Sequence, residues 1–111
     1  MKVIKSDLVL KKDTTFNESI RVEGNIRCEG GRHDLTVKGD VLAWDISAGN
    51  VSARDISALD ISALDISAWD ISYYAFCIAY NKIKCNSIKG KRENSFHKAL
   101  DGKIIIKGAK T

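Results

Sequence analysis

From Ala43 to Ser72 one five-residue phrase, Ala-x-Asp/Asn-Ile/Val-Ser, repeats six times without a gap. A period of five excludes an amphipathic α-helix, because positions five apart scatter around a helix of 3.6 residues per turn. Short strands joined by tight corners remain, and a fixed period of this kind builds a solenoid in which each unit completes the apolar face of its neighbours. In Ile-Ser-Ala the large and small apolar residues are two apart, so a strand sends both inward and the serine outward. The x-Asp pair then makes the corner. Short Asp and Asn side chains suit it because they bond backbone amides two residues on, replacing ladder bonds that a corner loses. On this register Ile46, Val51, Ile56, Ile61, Ile66, Ile71 and Phe76 lie inside.

The unit continues in degraded form on both sides. Upstream stand Ser19-Ile20-Arg21-Val22, Asn25-Ile26-Arg27-Cys28, Asp34-Leu35-Thr36-Val37 and Asp40-Val41-Leu42-Ala43, with Glu29-Gly30-Gly31-Arg32 as a loop leaving the coil. Downstream stand Ala75-Phe76-Cys77-Ile78, Lys82-Ile83-Lys84-Cys85 and Ser87-Ile88-Lys89-Gly90. The register is lost before Phe16, where Val3-Ile4 and Leu8-Val9-Leu10 read as one or two leading strands. Near the C-terminus, Asn94 or Ser95 is placed to N-cap a short helical turn through Phe96, Ala99 and Leu100, stopped by Gly102 and followed by a strand Ile104-Ile105-Ile106. That segment is expected to cap the coil, whose final edges are otherwise open. Residues 1–111 thus read as a single all-β solenoid domain: irregular leading coils over 1–39, regular repeats over 40–78, and a basic closing coil with a short cap over 79–111.

The run of Asp/Asn, large aliphatic and Ser, as in Asp60-Ile61-Ser62, resembles the pentapeptide-repeat family over Asp40 to Ile78. The resemblance implies a right-handed quadrilateral β-helix with four units per coil. Four units set Ile46 against Ile66 and Val51 against Ile71, whereas three set Ile46 against Ile61. The chain departs from the family's pattern in one respect. Its small residue stands two after the aliphatic, at Ala48, Ala53, Ala58, Ala63 and Ala68, and not two before it. A second likeness lies in Gly24-Asn25-Ile26-Arg27-Cys28, Gly39-Asp40-Val41-Leu42-Ala43 and Gly49-Asn50-Val51-Ser52-Ala53, which resemble the Gly-Asn-Ile-x-Ala phrases of bactofilins, cytoskeletal β-helices that polymerise end to end.

Charge is divided along the chain. Residues 40–76 carry six aspartates against Arg54, while residues 82–111 carry nine lysines and arginines against Glu93 and Asp101. A basic end of this kind keeps a solenoid edge from uncontrolled pairing, and Lys89, Lys91, Arg92 and Lys98 are the candidates if it contacts phosphates of a nucleic acid. Some pentapeptide-repeat proteins mimic DNA and bind topoisomerases, but that requires a long acidic surface, and this chain has a net charge of +4 with a short acidic middle.

Cys28, Cys77 and Cys85 are odd in number and lack C-x-x-C spacing, so neither a disulfide framework nor a zinc site is expected. Cys28 and Cys85 fall where the repeat has Ala and read as small core fillers. His33 and His97 show no metal-ligand spacing, and no phosphate loop, nucleophile or base stands out; no metal, cofactor or catalysis is expected. No apolar run is long enough for a membrane span, and residues 1–10 are too charged for a secretory signal, so the cytoplasm is the expected compartment. The corner residues Trp44, Leu59, Leu64 and Trp69, with Tyr73, Tyr74 and Tyr80 after them, form a candidate contact surface. The functional expectation is a non-catalytic structural or interaction module that binds itself, as a homodimer through its C-terminal end, or another protein.

Overall fold

Strand propensity in this chain comes in three-residue parcels, a β-branched residue and a small one flanking a polar one, and each parcel forms one flat stretch of sheet. A computed structural model describes residues 1–107; the end of the expected cap, residues 108–111 with Lys110, lies outside the described residues. The strands are β1 (Lys2–Ile4), β2 (Leu8–Leu10), β3 (Thr14–Phe16), β4 (Ile20–Val22), β5 (Ile26–Cys28), β6 (Leu35–Val37) and β7 (Val41–Leu42). They continue as β8 (Asp45–Ser47), β9 (Asn50–Ser52), β10 (Asp55–Ser67), β11 (Asp70–Cys85), β12 (Ser87–Gly90), β13 (Phe96–Ala99) and β14 (Ile104–Ile106). Every pairing is parallel, and β10 and β11 each bend around the whole coil.

Three faces result. The first stacks β1, β4, β7, the starts of β10 and β11, and β12. The second stacks β2, β5, β8, the middles of β10 and β11, and β13. The third stacks β3, β6, β9, the ends of β10 and β11, and β14. The molecule is therefore an all-β, parallel solenoid of about six turns, 39 Å in its longest dimension. Among the described residues no helix is long and apolar enough to cross a membrane.

The coil is triangular, which corrects the four-unit expectation. Ile46 pairs with Ile61, Val51 with Ile66, and Ile56 with both Val41 and Ile71, all fifteen residues apart. Each regular unit is a three-residue strand and a two-residue corner, and three such strands close the coil. Inside, three large aliphatics and three alanines fill each regular coil; Ile46, Val51, Ile56, Ile61, Ile66 and Ile71 are all buried. The leading coils are longer, with Lys2 opposite Ile20 and Ile26 opposite Ile46, and the loop at Gly30 and Gly31 turns with φ of 78° and 120°. Glycine adopts such angles without steric cost.

After Ser72 the phase shifts. Asp60 faces Phe76 and Asp65 faces Lys82, because one residue is added at each of two corners, near Tyr74–Ala75 and Tyr80–Asn81. Cys77, 0% exposed, takes the isoleucine place, and Phe76 moves to the aspartate place where it is only half-buried, contrary to the expected register. Tyr73 takes an alanine place and is buried at 1% exposure, so it leaves the candidate contact surface. The expected helical turn is likewise replaced: Phe96–Ala99 is strand β13, in register with Phe76–Ala79. The open edge of β11 offers these residues a full parallel ladder, which outweighs the local bonds of a single turn. Among the described residues the C-terminal segment is a sixth coil and not a lid.

The corner aspartates act differently from the expected local turns. Asn25 N–H donates to Asp7 Oδ1 at 2.9 Å, Asp34 N–H to Asp13 Oδ1 at 2.9 Å and Asn50 N–H to Asp34 Oδ1 at 2.9 Å, each acceptor lying one coil below its donor. Ser19 Oγ accepts from Asp40 N–H at 2.9 Å in the same way. In the leading coils the short polar side chain thus tethers the coil above where the ladder bends, whereas Asp60 and Asp65 of the regular coils each keep a buried carboxylate oxygen without a partner among the described residues.

Candidate functional site

The triangular coil decides where the corner residues go. Leu59 sits over Trp44 at the corner between the first and second faces, its N–H donating to the Trp44 carbonyl at 2.6 Å, and Tyr74 follows there one coil on. Leu64 sits over Gly49 at the next corner, its N–H donating to the Gly49 carbonyl at 2.9 Å, with Tyr80 following. Trp69 stands over Arg54 at the third, where the guanidinium carbon lies 4.8 Å from the ring centroid. The sequence-derived set is therefore spread over three edges of a prism. Trp44, Leu59, Trp69, Tyr74 and Tyr80 are exposed, Leu64 is half-buried, and Tyr73 is in the core.

A different apolar group gathers at the C-terminal end. Phe96 stacks on Phe76 with ring centroids 6.1 Å apart and planes 22° apart, and Phe96, Leu100, Ile105 and Ile106 are exposed. In the last coil Ile88, His97 and Ile104 occupy the large inward positions above Ile71, Cys77 and Ile83. Ile88 and Ile104 are only half-buried, because one of their flanks has no coil on it. On sequence, Ile88 belongs to a degraded unit, while the residues from Phe96 to Ile106 read as a cap. The signal that places them in a coil is the recurrence of a Phe-x-x-Ala phrase, Phe76 to Ala79 and Phe96 to Ala99.

Beneath His97 lies the polar part of this end. Tyr73 Oη and His97 Nδ1 are 2.7 Å apart, with the rings edge to face. Burial raises the Tyr73 hydroxyl above the ordinary tyrosine range, the charge of a Cys77 thiolate would raise it further, and a hydrogen bond with Ser95 opposes both. Burial, then Cys85, pushes the Cys77 thiol up to about 12. Both groups are therefore neutral near pH 7, and neither is an activated nucleophile.

The four candidate phosphate contacts are all exposed on the last coil but do not form one patch. Lys89 points out of the first face opposite Ser72, Lys98 out of the second opposite Ile78, and Lys91 and Arg92 follow β12, their amides donating to the Tyr73 and Tyr74 carbonyls at 2.9 Å. Among the described residues no three His, Cys, Asp or Glu side chains gather as a metal would require. Comparison of the chain with protein families, curated proteins and solved structures gives no match.

Proposed function

We propose that the protein is a non-catalytic structural module that pairs with a second copy of itself through its C-terminal coil. The observation that carries this reading is the sixth coil: a parallel edge with Ile88, Ile104 and Ile106 incompletely buried, flanked by exposed Phe96, Leu100 and Ile105, and covered by nothing among the described residues. Open strand edges beside an apolar cross-section are completed by another chain. The bactofilin-like Gly-Asn-Ile-x-Ala phrases favour end contacts as well, and the likeness to pentapeptide-repeat proteins is reduced to their period, since the coil has three units. Lys89, Lys91, Arg92, Lys98 and Lys103 rim the same end and oppose the pairing of two identical ends, so salt should strengthen association through screening.

Light scattering over a range of concentrations should give about twice the 12.2 kDa monomer mass, more completely at high salt. Ile106→Glu, at an exposed position, should yield a folded monomer, and Trp44→Ala should leave the dimer intact. A monomer at every concentration, or an Ile106→Glu dimer, overturns the proposal. Capture of single-stranded nucleic acid that is lost on Lys98→Gln and weakens steeply with salt would assign the basic rim to nucleic acid instead.

A further inference from the structure

The outward side chains of the third face form a vertical series: Thr15, Thr36, Ser52, Ser67, Lys84 and Ile105, each in register with the next. Over the upper part of this series runs a groove of about 300 Å³ lined by Ser52, Ser67, Trp69, Lys84, Asn86 and Lys107. It spans four coils, and its floor is fixed by the ladder. Ala53 N–H donates to the Ser67 carbonyl at 3.0 Å, Ala68 N–H to Lys84 at 3.0 Å, Asn86 N–H to Trp69 at 2.6 Å and Lys107 N–H to Cys85 at 2.7 Å. Strands thus place Ser52, Ser67 and Lys84, and Trp69, Asn86 and Lys107 stand in the corners just after them.

The electrostatics of the groove are one-sided. Lys84 and Lys107 both line it, and the nearby Lys107 amine, first as a hydrogen-bond donor and then as a charge, holds Lys84 below the ordinary lysine range. Two ammonium groups lining one groove repel, and an anion between them relieves the repulsion. Among the described residues neither lysine forms an ion pair with a carboxylate. Asp70, whose charge reaches Cys85, accepts from Ser87 Oγ at 2.7 Å on the neighbouring face. The groove also places two serine hydroxyls and the Asn86 amide beside the lysines, donors with no partner among the described side-chain hydrogen bonds. Trp69 forms one wall, with Arg54 against its ring adding a further cation nearby.

The geometry points to an anion-binding site for a phosphate monoester, in which Lys84 and Lys107 hold the doubly charged phosphate, Ser52, Ser67 and Asn86 donate to its oxygens, and Trp69 packs against an aromatic or apolar body. Lysines act here as point charges on a dianion, and an aromatic wall adds contact area for the rest of the ligand. A groove of this volume is at the small end of ligand sites, so the ligand is small. The site is separate from the Lys89, Lys91, Arg92 and Lys98 rim, and it does not depend on pairing of the C-terminal ends.

Trp44→Phe leaves Trp69 as the sole tryptophan, and its emission can be followed during titration with phenyl phosphate and with inorganic phosphate at one protein concentration. A saturable change is expected, with phenyl phosphate the tighter ligand and both weakened by added salt. In this background Lys84→Gln and Lys107→Gln should each raise the dissociation constant about tenfold or more, as expected for the loss of one charge-assisted contact. Ser67→Ala should raise it a fewfold and Lys98→Gln should not change it. Circular dichroism checks that each variant is folded; should Lys84→Gln not fold, the exposed Lys107→Gln decides alone. The proposal is overturned if emission does not saturate by millimolar ligand, if the Lys107→Gln protein binds like its parent, or if Lys98→Gln weakens binding as much.

Discussion

An aspartate at each corner has two opposed effects. Its carboxylate can accept an amide N–H from the coil above, as Asp7, Asp13 and Asp34 do in the leading coils, yet stacking the same residue in the regular coils brings like charges one strand spacing apart and leaves Asp60 and Asp65 each with a buried oxygen unpartnered among the described residues. Asp45 lies under Asp60, and Asp55 under Asp70. At ~5 Å two such charges repel by roughly 1 kcal/mol in water and about 3 kcal/mol at an effective dielectric of about 20. The Asp45 carboxyl is raised above the usual range, by desolvation first and then by the Asp60 charge, while a bond from the Asp60 backbone opposes the shift. A carboxyl with a raised pKa in the folded state binds its proton more readily there than in the unfolded chain. Its unfavourable contribution is present above the folded pKa and disappears as pH falls through it. Asn25, one coil below, shows that an amide serves the same tether, since its Oδ1 accepts from Asp45 N–H at 3.2 Å. Asp45→Asn should therefore stabilise the protein at pH 7, by no more than about 1 kcal/mol because the residue is exposed and screened. Urea melts at pH 7 and near pH 3 check this: the gain should be absent at the lower pH, and a loss at pH 7 would show that the charge itself strengthens the tether.

At the scale of single strands, the regular region was fully legible and the C-terminal third was not. Between Asp40 and Ser72 every unit has the same length, so which residues face inward follows from alternation alone, and the structure keeps that assignment at each isoleucine. Beyond Ser72 two corners gain a residue, and because strand alternation has a period of two, a single added residue exchanges inside for outside. On the five-residue count Phe76 is a core residue and Cys77 is not, and the added residue reverses the two. The same stretch has Cys77-Ile78-Ala79 and Ile83-Lys84-Cys85, both with apolar residues two apart like Ile-Ser-Ala, but nothing in the sequence says where a corner ends. The candidate surface was legible only as a period: the corner residues do recur, but three units per coil send them to three separate edges. The apolar C-terminal end was hidden because Phe96, Ala99 and Leu100 also fit a helical turn. The strand phase has a chemical consequence at the thiols. Cys77 and Cys85 are sealed in the core with their pKa values raised by burial, while Cys28 is only partly buried, next to the Gly30–Gly31 loop. Iodoacetamide on the native protein should alkylate Cys28 first and leave Cys77 and Cys85 unmodified until denaturant is added, as mass spectrometry of tryptic peptides would show. Native labelling of Cys77 ahead of Cys28 would place Cys77 outside the coil.

For the whole molecule, the fifteen-residue coil is a unit that can be removed. Solenoid stability is close to a sum over coils and their interfaces, so excising one regular coil should shorten the stack and leave the rest in register. Leu42 is in register with Ser57, so deleting residues 43–57 joins Leu42 to Ala58 with the strand phase and the face order unchanged. Ile61 then stacks on Ile26, Ile66 on Leu35 and Ile71 on Val41, which are the partners of the deleted Ile46, Val51 and Ile56. Deleting residues 43–62, the twenty that a square coil would contain, also preserves the five-residue phrase but rotates everything after it by one face. Tyr73, which occupies an alanine place over Ala58, is carried to the third face and set over Val37. Forcing a tyrosine onto a valine where an alanine was is overpacking, at a cost of typically 1–3 kcal/mol. The fifteen-residue deletion should therefore unfold cooperatively and only modestly below the parent, with a molecule shorter by about one strand spacing, ~4.8 Å. The longer deletion should melt below it by more than the loss of five further residues explains. Thermal melts of the two proteins, with small-angle scattering for length, separate the cases. If the twenty-residue deletion proves the more stable of the two, the core specifies four units per coil and the triangular register fails; the opposite order ties the shape of the coil to the fit of Tyr73 above Ala58.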